Sequence, residues 1–196
     1  MSDLFKWNPY ADQPHNVAPK KERFRHHLKY SGSYIRLIVS NFSKALPVLL
    51  RYRHIRRSLY RGPVHLEDPF GMAVSPGRNN HEKINASLEE LDIDKLIVRI
   101  PSWEIDRLAL YKEFIKTVRS GKREVLIALL QNREDVKDPK RWRTFLERVF
   151  DEFRDLCLVF EIGHAWNRTK WGVWDYREYL ELARPALEVA EKYNIK

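Results

Sequence analysis

A largely apolar stretch, residues 158–167 (LVFEIGHAWN), contains one acidic side chain and one imidazole. Glu161 interrupts the apolar residues, and His164 lies three positions further along the chain. A carboxylate and an imidazole can serve as general acid or base near neutral pH, which makes Glu161 and His164 the candidate catalytic residues. The alternative for Glu161 is a structural role, because buried acids are normally paired inside a protein.

Five other residues lie near predicted strand ends and could contact a substrate: Arg99, Trp103, Asn132, Trp166 and Asn167. A guanidinium can hold a carboxylate through two parallel hydrogen bonds, and tryptophan rings can stack on the apolar faces of sugars. Packing against helices or loops would account equally for the tryptophans. Cys157 is the only cysteine, which argues against an internal disulfide or a Cys-x-x-Cys metal cluster, and we expect no metal and no cofactor.

The elements that must position these residues are alternating strands and helices. Apolar runs predict strands at 71–74, 95–100, 124–130 and 157–162, and helical spacing predicts helices after each of them, including 106–119, 138–153 and 175–193. Continuous apolar strands that alternate with helices indicate an α/β fold with a parallel sheet buried on both faces. No glycine-rich phosphate loop follows the first strand, which favours a barrel-like arrangement over a nucleotide-binding open sheet.

Two short motifs carry a resemblance to a known family. Residues 98–103 (VRIPSW) and 160–167 (FEIGHAWN) resemble the second-strand and fourth-strand motifs of clan A glycoside hydrolases, the latter usually reading F-E-I-G-N-E-P-N. The resemblance implies a TIM-barrel-like fold of βα repeats over residues 70–196, with about four units and hence an incomplete barrel. It also implies a carbohydrate as the substrate or ligand.

The chain departs from the family's pattern where the chemistry should be. His164 and Ala165 occupy the positions of the family's Asn-Glu pair, whose Glu is the general acid/base, and alanine cannot protonate a leaving oxygen. The family's nucleophile lies on a seventh strand, beyond the four strands predicted here. Because glycoside hydrolysis needs two carboxylates, we expect the chain as given to have no hydrolase activity. It is then a fragment or pseudoenzyme that handles or binds a carbohydrate.

Positive charge is concentrated near the amino terminus. Residues 20–61 contain twelve Lys and Arg residues against the single acid Glu22, while residues 62–196 sum to −1. Residues 1–33 lack lasting periodicity and predict an irregular, mobile tail. Residues 34–61 predict a basic amphipathic helix that Pro47 should kink or break, and residues 62–196 form the βα-repeat domain.

The basic segment indicates an anionic partner. A helix of this kind suits an anionic membrane surface, and nucleic acid ranks lower because no DNA- or RNA-binding motif is present. A solvated charged face would need no partner at all. The alternative function is therefore a non-catalytic membrane-surface or scaffold protein that uses its α/β domain as a platform. Without a signal peptide or an apolar run long enough to span a bilayer, we expect a cytoplasmic protein, peripheral at the inner face of the membrane if the segment binds lipid.

Overall fold

The described residues fall into two compact units. The computed structural model describes residues 7–8, 13–14, 19–59, 70–77, 80–119, 123–156 and 159–195. One unit is the described part of Pro19–Pro69. The other begins at Phe70 and includes a short antiparallel hairpin of β1 (Trp7–Asn8) and β2 (Gln13–Pro14).

A four-stranded parallel sheet organises the second unit and confirms the α/β prediction. Its strands are β3 (Gly71–Val74), β4 (Lys95–Pro101), β5 (Glu124–Leu130) and β6 (Val159–Ile162). They lie side by side in chain order, and every neighbouring pair is parallel. The predicted start of the last strand, Cys157 and Leu158, lies outside the described residues.

The sequence explains where helices of this unit begin. They are α3 (His81–Glu90), α4 (Leu108–Val118), α5 (Arg133–Lys137), α6 (Pro139–Phe153) and α7 (Tyr176–Lys192). Asp138 caps α6 by accepting hydrogen bonds from two backbone N–H groups, and Pro139 occupies the first turn, where no donor is lost. The helix expected over 106–119 is shorter, because Ser102–Arg107 forms a 3-10 turn before α4.

The two faces of the sheet are covered differently. Alternate residues of β4 and β5 are buried under the aromatic stripe of α6 and the apolar faces of α4 and α7; they include Leu96, Val98, Ile100, Val125, Ile127 and Leu129. We call the opposite face the inner face; it carries Ile97, Arg99, Leu126, Ala128, Leu130 and Glu161. On it, Ala128 and Leu130 are buried by Trp171, while Val159 remains 59% exposed.

Strand order explains this asymmetry. Parallel strands in the same sheet are joined by right-handed crossovers, so a sheet whose strands follow chain order places its connecting helices on a single face. A doubly wound sheet instead reverses its order at a switch point and covers both faces with helices. The observed order is compatible with an incomplete, barrel-like α/β arc, whose concave side would be the inner face.

The basic unit is helical over most of its described length. It consists of α1 (Lys20–Lys29) and α2 (Ser31–Leu59), so the irregular tail predicted for residues 1–33 is wrong from Lys20 onward. Of the two outcomes predicted for Pro47, the break is wrong, since α2 continues through it, and the kink stays a prediction. The helix is exposed here, and water can satisfy the carbonyl that loses its backbone donor to proline. Among the described helices, none combines the length and the apolar character needed to cross a membrane.

Candidate functional site

Glu161 and His164 form a hydrogen-bonded pair at the carboxyl end of β6. The Nδ1 atom of His164 lies 2.8 Å from Oε1 of Glu161, and both side chains are partly buried. The His164 ring also meets the Trp171 ring edge-on, with their centroids 4.9 Å apart. The carboxylate and the indole therefore fix the orientation of the imidazole. This arrangement brings the two candidate catalytic residues together and also gives Glu161 the internal partner of its structural alternative.

A row of three residues crosses the inner face at the level of this pair. Arg99 of β4 is in register with Ala128 of β5, which is in register with Glu161 of β6. Neighbouring strands lie about 4.8 Å apart, so Arg99 and Glu161 are separated by two strand spacings. Ala128 between them is fully buried under Trp171. A cation and an anion thus lie on the same row of the inner face.

Gln131 ties the loop after β6 to the end of β5. Its Nε2 donates hydrogen bonds to the backbone carbonyls of His164, at 3.0 Å, and Trp171, at 3.1 Å. The side chain is fully buried, and among the described residues its Oε1 has no hydrogen-bond donor. Sequence reasoning missed this residue, although a glutamine directly after a buried apolar strand was a signal for it. Gln131 is a positioning residue for the loop that holds His164.

Arg133 makes a second connection to the same loop. Its guanidinium donates to the carbonyl of Gly172 at 2.8 Å and to Glu178 at 2.7 Å, and it lies 3.8 Å from the centre of the Trp174 ring. The backbone N–H of Trp174 also donates to Glu178, at 2.8 Å. These contacts join the start of α5, the loop after β6 and the start of α7 at one corner of the unit.

Asn132 has a structural role in this corner. Its side-chain oxygen accepts hydrogen bonds from the backbone N–H groups of Glu134, at 2.8 Å, and Asp135, at 3.1 Å, and so caps α5. The Asp135 carboxylate in turn accepts a hydrogen bond from the Asn132 N–H at 2.9 Å. The two reciprocal sets of hydrogen bonds form a capping box. This cap accounts for Asn132 without a ligand, and its contact with a substrate stays a prediction.

The other aromatic candidates differ in their surroundings. Trp166 is 48% exposed and stacks on Tyr179 with the ring centroids 5.5 Å apart. Asn167 is exposed in the same turn. Trp103 instead packs against the inner-face residues around Trp171. It also lines the cleft described next, and the other four predicted substrate-binding residues are not among the residues that line that cleft.

A cleft opens beside Trp103. Its volume is about 430 Å³, and it lies between the 3-10 turn after β4 and the helices α5 and α6; its lining comprises Ser102, Trp103, Ile105, Asp135, Arg141, Thr144 and Phe145. The hydroxyl of Ser102 donates a hydrogen bond to Oδ2 of Asp135. Arg141 Nε lies 2.9 Å from the other carboxylate oxygen. The cleft thus combines an aromatic wall with a buried carboxylate and a half-exposed cation.

The Asp135 carboxyl is the acid of this cleft whose pKa is shifted. Burial raises the pKa of Asp135, because the charged form loses its hydration. Hydrogen bonds from Ser102 and the Asn132 N–H, together with the charge of Arg141, oppose that shift without cancelling it. The folded protein therefore binds a proton at Asp135 more tightly than the unfolded chain does.

Replacing Asp135 with asparagine should change how stability depends on pH. The native pKa is raised, so the stability linked to this carboxyl is present below its ordinary pKa of about 4 and is lost as pH rises through the native value. The free energy of unfolding of the variant minus that of the parent should therefore increase as the pH is raised across that interval. Urea denaturation at steps from pH 3.5 to 7 measures it. Asp106→Asn is the control, since that side chain is 90% exposed; equal pH profiles for both variants would contradict the prediction.

Ala165, which follows His164 in the turn after β6, has an unusual backbone. Ala165 adopts φ +47°, in the left-handed region that side chains other than Gly, Asn and Asp rarely enter. Its carbonyl accepts a hydrogen bond from the Arg168 N–H at 2.9 Å, and its methyl group packs near Trp171. The turn that carries Ala165 is held by these contacts on one side and by Gln131 on the other.

Comparison of the chain with family models, with curated proteins and with solved structures finds no match. The glycoside hydrolase resemblance consequently rests on the two short sequence motifs, residues 98–103 and 160–167, alone.

Proposed function

We propose that the βα-repeat unit of this protein binds a carbohydrate without hydrolysing it. The observation that carries the proposal is the cleft beside Trp103, where an indole borders a carboxylate, a hydroxyl and a guanidinium. Sugars present apolar C–H faces to aromatic rings and hydroxyl groups to polar side chains, so they require this mixture of surfaces. A volume of about 430 Å³ falls within the usual range of small-ligand pockets and would hold one or two sugar rings.

The position of the cleft supports the proposal. In α/β proteins, ligands bind at the carboxyl ends of the strands, and Ser102 and Trp103 directly follow the end of β4. The cleft lies at the same edge of the sheet as the Glu161 and His164 pair.

The proposal excludes hydrolysis on chemical grounds. Retaining enzymes need two carboxyl groups about 5–5.5 Å apart, and inverting enzymes need them further apart with a water between them. Ala165 supplies no carboxyl group, and Glu161 is engaged by His164. The barrel-like arc would then act as a sugar-binding scaffold of the glycoside hydrolase type rather than as an enzyme.

Arg141→Met tests this function in the whole protein. Titration with cello-oligosaccharides, xylo-oligosaccharides and oligogalacturonates, followed by tryptophan fluorescence, should show saturable binding of at least one class. Loss of a charged hydrogen-bond donor should weaken that binding about tenfold, since such bonds contribute about 1.5–3 kcal/mol.

Arg143→Met is the matched control, because Arg143 lies on the same helix with similar exposure but pairs with Glu188 outside the cleft. Its binding should stay within about twofold of the parent, which is the scale of surface effects. Equal losses in the two variants, an absence of binding by the parent, or release of reducing sugar from unactivated oligosaccharides would each overturn the proposal.

A further inference from the structure

The helix α2 displays a broad apolar surface that the described residues leave uncovered. At 3.6 residues per turn, nine side chains between residues 34 and 50 lie within an arc of about 160°: Tyr34, Ile35, Ile38, Val39, Phe42, Ala45, Leu46, Leu49 and Leu50. Phe42 at the centre of this arc is 82% exposed, and Ile38 and Leu46 are 65% and 66% exposed. Surface apolar residues scattered singly are ordinary, but a contiguous patch of this kind marks an interaction surface.

The polar side chains of the same helix lie on the opposite side, which also carries Leu37 and Val48. Arg36, Ser40, Ser43, Lys44 and Arg51 lie on it, and α2 contains no acidic residue. The preceding helix α1 adds five Lys and Arg residues against Glu22. The described basic unit therefore joins an apolar arc to a strongly positive surface. That combination fits the boundary between the acyl chains and the anionic headgroups of a bilayer.

The carboxyl-terminal end of α2 sets the orientation. Arg53, Arg56 and Arg57 fall on the same side as the apolar arc, directly after Leu49 and Leu50. Long arginine side chains can extend from an apolar surface so that their guanidinium groups reach phosphate oxygens. The basic end would therefore rest at the phosphates while the arc between residues 34 and 50 enters the headgroup region.

We propose that α2 is an interfacial anchor that lies in the surface of an anionic phospholipid bilayer. The apolar arc supplies the burial, and the basic residues supply selectivity for negatively charged lipid. Nucleic acid would account for the charge but would leave the exposed Phe42 and its neighbours in water, so the apolar arc favours lipid. The proposal is independent of carbohydrate binding, because it concerns the basic unit alone.

Co-sedimentation of the whole protein with vesicles tests the anchor. At 0.1 M NaCl, binding to vesicles of 70% phosphatidylcholine and 30% phosphatidylglycerol should exceed binding to pure phosphatidylcholine by about 20-fold or more, since several Lys and Arg residues contribute near the surface. Raising NaCl to 1 M should abolish most of the difference, because the Debye length falls to about 3 Å.

Two variants with the same charge change separate insertion from charge attraction. Phe42→Asp places a carboxylate at the centre of the apolar arc, whereas Ser40→Asp places one on the polar side. Ser40→Asp should weaken vesicle binding about fivefold, the effect of one unit of charge, and Phe42→Asp about 50-fold, because it also removes a buried ring. Circular dichroism should show equal helix content in both variants.

Several results would overturn the anchor. Equal losses in Phe42→Asp and Ser40→Asp would mean that the apolar arc does not enter the bilayer. Equal binding to neutral and anionic vesicles would remove the role of the basic residues. Tight binding to a 20-nucleotide single-stranded RNA without vesicle binding would assign the segment to nucleic acid. A dimer that Phe42→Asp dissociates, again without vesicle binding, would assign the arc to a second copy of the chain.

Discussion

Replacing Gly172 with alanine should lower the free energy of unfolding by about 4 kcal/mol. Gly172 has φ +92°, which costs a side chain about 1–2 kcal/mol. A Cβ atom there would also lie 2.5 Å from the Asn132 carbonyl carbon and from the Arg133 nitrogen. Backbone atoms cannot rotate away, so the loop after β6 must separate from the end of β5, and forced overpacking costs about 1–3 kcal/mol more. The melting temperature should fall by about 10 °C.

Gly77→Ala is the control for this substitution. No atom lies within 4 Å of a Cβ built at Gly77, and its backbone is not left-handed, so its melting temperature should stay within about 2 °C of the parent. The Gly172 variant should also lose carbohydrate binding if its loop detaches from Gln131 and Arg133. A Gly172→Ala protein as stable as Gly77→Ala would mean that the two loops do not touch as described.

The parallel sheet could be predicted because its strands follow a simple rule. Continuous apolar runs predicted these strands, although burial on both faces was expected and β3 and β6 remain partly exposed. Pro101 and Pro139 mark boundaries that the structure keeps. The 3-10 turn before α4 could not be predicted, since its residues fit a helical pattern equally well and the packing of Trp103 against the inner face decides between them.

The basic unit shows how far a local pattern can mislead. Residues 20–29 carry many charges and no apolar stripe, so sequence periodicity gave no helical signal, although Lys and Arg are good helix formers. Pro47 suggested a break, but proline is tolerated where the helix is exposed and water binds the freed carbonyl. Propensity, rather than periodicity, was the informative property here.

One contact of the candidate site could likewise be predicted from the sequence, and another could not. The contact between Glu161 and His164 could be predicted, because two residues that are three positions apart where a strand ends can bring their side chains close together. The hydrogen bond from Ser102 to Asp135 was not, since 33 residues separate the partners and only the pairing of β4 with β5 brings them together. A cleft formed by two strand ends becomes visible only once the register is known.

Replacing Trp142 with alanine should destabilise the protein by about 3–5 kcal/mol, the usual cost of removing a large buried aromatic side chain. Trp142 is 1% exposed on α6, and its ring lies 5.3 Å from that of Phe145. Its Nε1 donates a hydrogen bond to the carbonyl of Leu182 on α7, at 2.9 Å. That contact lies close to Pro185, which supplies no backbone donor to α7. Urea denaturation followed by circular dichroism measures the loss.

Two further variants divide this effect into its parts. Trp142→Phe keeps most of the ring but removes the donor to Leu182, so it should cost about 1–2 kcal/mol. Trp166→Ala removes an indole that is 48% exposed and only stacked on Tyr179, and should cost about 1 kcal/mol. Because the two alanine variants delete the same side chain, their difference reports burial together with the hydrogen bond to Leu182, and Trp142→Phe measures the latter. Equal losses of unfolding free energy in Trp142→Ala and Trp166→Ala would contradict a close-packed contact between α6 and α7. The helical cover of the sheet would then not be packed as described.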